Sequence, residues 1–126
     1  MAKKELQVSG NRNVLTVDGN RVSLDGDIQM HIVVGDMVLV LLDDASFADD
    51  DHAQDSNVIA ISSNGEILWR IEPHPSENFQ GEPRVNPYIN IVLRDQGQKV
   101  QAYSMDGMCF DVDTESGKTS NPVFTR

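Results

Sequence analysis

Acidic side chains are the residues of this chain best suited to chemistry, and several cluster in one short segment. Asp49, Asp50 and Asp51 precede His52, and Asp55 follows soon after. Carboxylates that converge on one point can bind a divalent cation such as Ca²⁺. However, the segment lacks the alternating Asp-x-Asp-x-Asp-Gly pattern and the distal Glu of a calcium loop. We therefore expect a solvated acidic loop without a metal, and we expect no cofactor.

Two other segments resemble parts of known reactive motifs. Gly117-Lys118-Thr119 matches the end of a phosphate-binding loop, but Val112 stands where the motif requires its first Gly. The motif also requires a following helix, which Pro122 opposes. Cys109 lies between two apolar residues of a predicted strand, a position typical of a buried and inert thiol. We therefore expect no catalytic residue and no enzymatic activity, with a metal-dependent hydrolase using the Asp-rich loop as an alternative.

The net charge of the chain belongs to one continuous segment. Val22 to Trp69 contains ten acidic residues and no Lys or Arg. The whole chain has 20 acidic and 10 basic residues, so the remaining sequence is balanced and this segment accounts for the formal charge of −10. Such a surface repels the phosphates of nucleic acids and attracts basic proteins. Three bases outside the segment could be brought across from it by folding: Arg70, Arg84 or Arg94.

Binding to a basic protein partner is therefore the function that we predict, with no nucleic acid or membrane as ligand. Immunity or antitoxin proteins that neutralise a cationic nuclease are one such class. A self-assembling structural module, which would associate through exposed strand edges, is a second alternative. The residues that we expect to bind the partner are acidic and lie in one loop: Asp43, Asp44, Asp49, Asp50, Asp51 and Asp55.

Cysteine content and hydropathy predict the compartment. A single cysteine, Cys109, rules out an intramolecular disulfide and is typical of a reducing environment. No apolar segment follows Lys3 and Lys4, so we expect no secretion signal. The longest apolar run, Met37 to Leu42, is far shorter than a membrane span. These features predict a cytoplasmic protein.

Alternation of apolar and polar residues predicts strands almost throughout. Tight turns are predicted at Asp18-Gly19, Asn64-Gly65 and Asp106-Gly107, because Asp, Asn and Gly tolerate the positive φ that hairpins require. Two long loops, Asp43 to Ser56 and Glu72 to Pro87, interrupt the pattern. The predicted strands are Val14 to Val17, Arg21 to Leu24, Ile28 to Val34, Met37 to Leu42, Val58 to Ser62, Glu66 to Ile71, Tyr88 to Arg94, Lys99 to Ser104, Met108 to Val112 and Pro122 to Thr125.

These elements predict a single all-β domain over residues 1–126, an antiparallel meander of blade-like hairpins that forms a small barrel, sandwich or partial propeller. The continuous apolar run from Met37 to Leu42 predicts a strand buried on both faces. Residues expected in the core share apolar character and strand position: Val38, Val40, Ile59, Ile61, Ile67, Trp69, Ile91 and Phe110.

An internal repeat is visible in the hairpins. Asn57 to Gly65 aligns with Lys99 to Gly107, and both segments end in a turn that contains Gly. With these glycines aligned, Trp69 falls opposite Asp111, so the inward phase of one strand slips by a residue. Such a slip requires a β-bulge or a different register.

The repeat carries a resemblance to a known family. Ala60 to Trp69, Ala-Ile-Ser-Ser-Asn-Gly-Glu-Ile-Leu-Trp, resembles the blade repeat of quinoprotein-like β-propellers, and Ala102 to Lys118 resembles a second copy. The end of that copy, Asp113 to Lys118, is also similar to the Asp-x-x-x-Gly-Lys turn that closes small uncharacterised bacterial β proteins. The resemblance implies blade-like meanders and no cofactor, since no quinone-binding residue can be placed. Propellers need about four blades or more, and 126 residues hold fewer than three.

Overall fold

The computed structural model describes residues 6–47, 52–77 and 80–125, and within these ranges the fold is all-β, as predicted. Short 3₁₀ turns occur at Asp44–Ser46, His52–Ser56 and Asp95–Gly97. The strands are β1 (Val8–Asn11), β2 (Val14–Val17), β3 (Asn20–Ser23), β4 (Ile28–Val34), β5 (Met37–Leu42), β6 (Val58–Ser62), β7 (Ile67–Arg70), β8 (Ser76–Glu77), β9 (Pro83–Arg84), β10 (Tyr88–Arg94), β11 (Lys99–Ser104), β12 (Met108–Val112) and β13 (Thr119–Phe124).

The strands form three antiparallel meanders in chain order. Sheet 1 is β1-β2-β3, sheet 2 is β4-β5-β6-β7 and sheet 3 is β10-β11-β12-β13, while β8 and β9 form a small ribbon. Among the described residues no sheet closes into a barrel, so the sandwich or partial-propeller form of the prediction is the one that agrees with the structure. The predicted turn at Asp18-Gly19 is present, and both residues have a positive φ, of 47° and 84°.

Sheet 2 is the middle layer of the fold. One hydrophobic cluster joins it to sheet 1, through residues such as Val38 and Val40. The other cluster joins it to sheet 3, through Leu39 and Leu41. Because successive residues of a strand point to opposite faces, the continuous apolar run of β5 serves both layers. The prediction that this strand is buried on both faces is confirmed.

The core prediction is confirmed except at Ile67. The other seven residues are buried, but Ile67 is 53% exposed. The cause is a register shift between β6 and β7, in which Ala60 pairs with Trp69 while Ile61 pairs with Ile67, so that Leu68 has no partner. This is the bulge that the imperfect repeat predicts, and it breaks the alternation that would place Ile67 and Trp69 on one face.

Register shifts of this kind occur in every pair of sheets 2 and 3 that includes an edge strand: β4–β5, β6–β7, β10–β11 and β12–β13. The central pairs, β5–β6 and β11–β12, have none. Bulges twist an edge strand and interrupt its row of free backbone groups, which opposes pairing with another chain. Pro122 in β13 adds to this effect, since it has no backbone donor.

The aligned hairpins occupy different places in their sheets. Asn57 to Gly65 contains β6, the third strand of sheet 2, whereas Lys99 to Gly107 contains β11, the second strand of sheet 3. The repeat therefore reflects shared hairpin geometry and is offset by one strand from the order of the sheets.

Candidate functional site

The acidic residues of the central segment lie where its strands begin and end. Both faces of sheet 2 are packed against other layers, so a charged side chain on either face would be buried without water. Asp36 stands in the turn between β4 and β5, and Glu66 precedes β7. Four more acids flank the other ends of β4 and β5: Asp25, Asp27, Asp43 and Asp44. We call these four residues the acidic corner.

Backbone contacts hold the two connections of the acidic corner together. The N–H of Asp43 donates to the carbonyl of Asp27 at 2.7 Å. Ser46 Oγ accepts from the Asp27 N–H at 2.9 Å and donates to the Asp43 carbonyl at 2.6 Å. Gly26 is buried beside Phe47, where a Cβ would lie 2.7 Å from the ring. The local fold therefore brings together the acids of the β3–β4 and β5–β6 connections, although Asp27 and Asp43 are far apart in sequence.

Arg70 is the base that folding brings to this corner. Its NH1 lies 2.8 Å from Asp25 Oδ2, and its Nε donates to the Ser56 carbonyl at 3.2 Å. Arg94 instead contacts Gln101 and Tyr103 on sheet 3. Among the described residues the Arg70–Asp25 pair is the one ion pair in the corner, so the other three carboxylates have no ion-pair partner there.

The predicted binding residues fall into three environments. The Asp43 carboxylate caps the turn that follows by accepting from the Ala45 N–H at 3.0 Å, and Asp44 is half-buried. Asp55 is 6% exposed, and its Oδ1 accepts from the Asn86 N–H at 2.5 Å, so a docking partner would touch little of it. The remaining three, Asp49 to Asp51, lie outside the described residues. Binding through the six stays a prediction.

A buried polar network, which no sequence pattern predicts, lies beside Asp55. Asn57 is fully buried and bonds to the backbone of Leu42 and Tyr88. Asn86 is also buried, and its side chain bonds to the His74 carbonyl and the Asp106 N–H. The sequence shows only that Asn57 and Asn86 each lie just before a predicted strand. Their hydrogen-bond partners are 12 to 31 residues away in sequence, so no local pattern predicts the network.

A second polar cluster joins the long loop from Glu72 to Pro87 to β13. Glu72 Oε1 accepts from both the N–H and the hydroxyl of Thr119, at 3.1 and 2.7 Å. His74 Nε2 also contacts the Thr119 hydroxyl, and its ring stacks on Phe110 with centroids 4.3 Å apart. Since the single hydroxyl proton goes to Glu72, Nε2 of His74 is the donor to Thr119 Oγ1. The Thr119 hydroxyl therefore ties the loop to β13.

Within the described residues, neither a metal-ligand cluster nor a membrane-spanning helix is found. The described residues contain no group of three or more His, Cys, Asp or Glu side chains arranged to hold a metal ion. No helix in the described part of the chain has the length and apolarity needed to cross a membrane.

Comparison with known proteins places the chain in a family. Residues 5–124 match the model of a domain of unknown function, DUF7957. The chain belongs to the DUF7957 family. A search of curated proteins finds no match. Among solved structures, this DUF7957 chain is similar to the crystal structure of the computationally designed Ika8 protein, with 15% identity and a TM-score of 0.43. The match covers 100% of this chain and 48% of that one, so the chain spans about half the length of the designed protein.

Acid should weaken the loop closure in this DUF7957 domain. Hydrogen bonds from the side chain and then the backbone of Thr119 lower the pKa of Glu72 below its usual 4.5. A carboxyl whose pKa is lower in the folded state stabilises the fold above the unfolded-state pKa and loses that contribution as pH falls through the folded-state pKa. Urea unfolding of wild type and Glu72→Gln should therefore differ at pH 7, and the difference should shrink below about pH 4.5.

A matched hydroxyl pair controls this prediction. Thr119→Ser keeps the donor to Glu72 and should preserve the acid dependence, whereas Thr119→Val removes it and should reduce that dependence. Because Glu72 is exposed, the effect at pH 7 should be at most about 1 kcal/mol. A free-energy difference between wild type and Glu72→Gln that is constant from pH 3 to pH 7 would contradict the proposed contact.

Proposed function

We propose that this protein is a cytoplasmic, non-catalytic binding module that recognises a basic protein through its acidic side chains. The acidic corner supports this proposal most directly, because among the described residues three of its four carboxylates form no ion pair with a base. A field of one sign on a protein surface speeds the encounter with a partner of opposite charge. An immunity or antitoxin role toward a cationic nuclease is one form of this function.

The position of the acids also supports binding over solubility alone. Residues that serve only solubility can be spread over any exposed surface, whereas here the charge excess follows the central sheet and emerges at its ends. The Ser46 hydroxyl, which bonds the backbone of both Asp27 and Asp43, fixes two of the acid-bearing connections against each other. Loops that a rigid β scaffold holds in place are where binding residues commonly lie.

The alternative of a self-assembling β module has less support from the fold. Four edge pairs carry bulges, and Pro122 lies in one edge strand. These features oppose edge-to-edge pairing. Size-exclusion chromatography with light scattering tests the alternative, since a stable oligomer at micromolar concentration would favour it.

The proposed function predicts salt-sensitive association with the partner. Capture from a lysate of the native host at low salt should enrich a basic protein, whose association is then followed by stopped flow at two ionic strengths. The rate should fall with salt, because charges farther apart than about 8 Å are screened at physiological ionic strength. Removing three corner charges, with Asp27→Asn, Asp43→Asn and Asp44→Asn combined, should lower the association rate about tenfold at low salt and change dissociation less.

Two further variants sharpen this test. A second triple variant combines Asp49→Asn, Asp50→Asn and Asp51→Asn. It should also slow association if the whole predicted loop contributes. A charge-matched control changes Asp18→Asn, Glu77→Gln and Asp95→Asn, which lie outside the acidic segment. An association rate that is indifferent to salt and to both acidic triples would show that the acidity does not serve binding.

A further inference from the structure

A cleft opens where the hydrophobic core between sheets 2 and 3 reaches the surface. Its volume is about 550 Å³, and it lies between the β4–β5 turn, β7 and two turns of sheet 3, β10–β11 and β12–β13. The lining residues that matter here are of two kinds, apolar and acidic: Val34, Met37, Leu68 and Trp69, with Asp36 and Glu115. None of the described residues that line it is basic.

The apolar part of the cleft is partly exposed because of the bulge in β7. Leu68, which pairs with no residue of β6, is 50% exposed. Val34 and Met37 are half-buried and pack against the core cluster. The indole N–H of Trp69 donates to the Thr114 carbonyl at 2.9 Å, and its ring, 8% exposed, forms the floor of the cleft. Leu68 and its neighbours thus form a small unpartnered apolar surface.

The acidic part of the cleft determines which occupant is complementary. Asp36 and Glu115 are both exposed, one on each side of the interface between the sheets. Lys and Arg side chains combine an apolar stem with a cationic head, and they bury the stem along apolar surface while the head stays near water or carboxylates. A neutral apolar occupant would leave the two carboxylates without a partner, and an acidic occupant would be repelled.

We propose that this cleft receives a Lys or Arg side chain of a basic protein partner, with the stem against Leu68, Val34 and Met37 and the head beside Asp36 and Glu115. The inference rests on the proposed function and adds a second contact to it. The cleft lies at the β4–β5 turn, whereas the acidic corner lies at the opposite ends of the same two strands. A partner that reached both would span the length of the central sheet.

The test uses a defined probe, the acetylated and amidated peptide Lys-Leu-Lys-Leu-Lys. Trp69 is the only tryptophan, so its emission reports binding in the cleft, and amide shifts in ¹H–¹⁵N spectra locate the peptide. We expect titration to change Trp69 emission and to shift the amides of Gly35 and Leu68. The acidic peptide Glu-Leu-Glu-Leu-Glu should produce neither change.

A pair of variants adds the same charge at two exposed apolar positions. Leu68→Lys places a cation in the cleft and should weaken the Lys-Leu peptide about tenfold by like-charge repulsion and lost apolar contact. Val123→Lys changes a residue of β13 that is 58% exposed, and affinity should stay within about twofold of wild type. Equal weakening by both variants would overturn the proposal, since only the total charge would then matter.

The location of the shifts separates this inference from the proposed function. Shifts confined to the acidic corner, at Asp27, Asp43 and Asp44, would overturn the cleft as a site and leave the proposed function supported. Absence of any shift at millimolar peptide and low salt would count against both. Shifts at the cleft that Leu68→Lys abolishes and Val123→Lys preserves would support the inference.

Discussion

Replacement of Trp69 by Ala is expected to lower the free energy of unfolding by about 3–5 kcal/mol, as large aromatic deletions in a core do. Trp69 is 8% exposed and belongs to the cluster between sheets 2 and 3. Its ring packs closely on the backbone at Gly117, where a Cβ would lie 2.5 Å from Cε3. The substitution would open a cavity at this contact and leave the Thr114 carbonyl without its indole donor.

Urea unfolding followed by circular dichroism measures this effect, since the variant lacks the only tryptophan. Leu68→Ala is the matched control, because Leu68 is the adjacent residue and is half exposed, and it should cost less than about 1 kcal/mol. Trp69→Phe should fall between the two, since it keeps part of the packing and loses the hydrogen bond. If Trp69→Ala and Leu68→Ala unfolded at the same urea concentration, the packing and the hydrogen bond of Trp69 would not contribute the expected stability.

The strands of this fold could be predicted because their signals are local. Alternation and the turn at Asp18-Gly19 depend on neighbouring residues, so the sequence alone indicates where most strands lie. The bounds are less well predicted, since β13 begins at Thr119 and not at Pro122. The run from Met37 to Leu42 also indicates burial on both faces, and hence a middle layer. The early strand β1 and the ribbon β8–β9 were not predicted, since short strands with polar residues such as Ser9 and Asn11 carry little periodic signal.

The error at Ile67 shows the limit of a period of two. One unpaired residue, Leu68, shifts the register so that Ile67 is exposed to solvent. In the sequence, only the alignment of the two hairpins indicates this bulge. Register depends on how β6 and β7 pair, which is a property of both strands and their turn. A pattern read along one strand cannot place such a bulge.

The candidate site was predictable in charge but not in geometry. The lack of bases from Val22 to Trp69 is visible in the sequence, and so is Arg70 as a base at its border. That Asp55 turns inward to Asn86 depends on a contact between residues 31 apart, which no local pattern reveals. The same holds for the cleft, whose lining comes from both sheet 2 and sheet 3.

Replacement of Asn57 by Leu is expected to destabilise the fold by about 3–5 kcal/mol, because buried backbone groups would lose their partners. Asn57 Nδ2 donates to the carbonyls of Leu42 and Tyr88 at 2.9 and 2.8 Å, and Oδ1 accepts from the Tyr88 N–H at 2.8 Å. One fully buried side chain thus joins β5 of sheet 2 to β10 of sheet 3. An apolar side chain of similar size fills the space and satisfies none of these groups.

Asn20 provides the matched control, because its side chain also bonds a backbone carbonyl, that of Ser63, but on the surface. Asn20→Leu should change the free energy of unfolding by less than about 1 kcal/mol. Equal midpoints for Asn20→Leu and Asn57→Leu in urea would show that the buried bonds add nothing to stability.

Asn57→Asp separates the hydrogen bonds from the packing. The new carboxyl keeps an acceptor for the Tyr88 N–H but sets its second oxygen against two carbonyls, so burial favours the protonated form. A carboxyl whose pKa is raised in the folded state stabilises the fold at low pH and loses that contribution as pH rises above the unfolded-state value. This variant should therefore approach wild-type stability near pH 4 and fall away toward pH 7, the opposite of the dependence that Glu72 contributes. A loss that is independent of pH would contradict this prediction, since it would show that the charge of the buried carboxylate is not the cause.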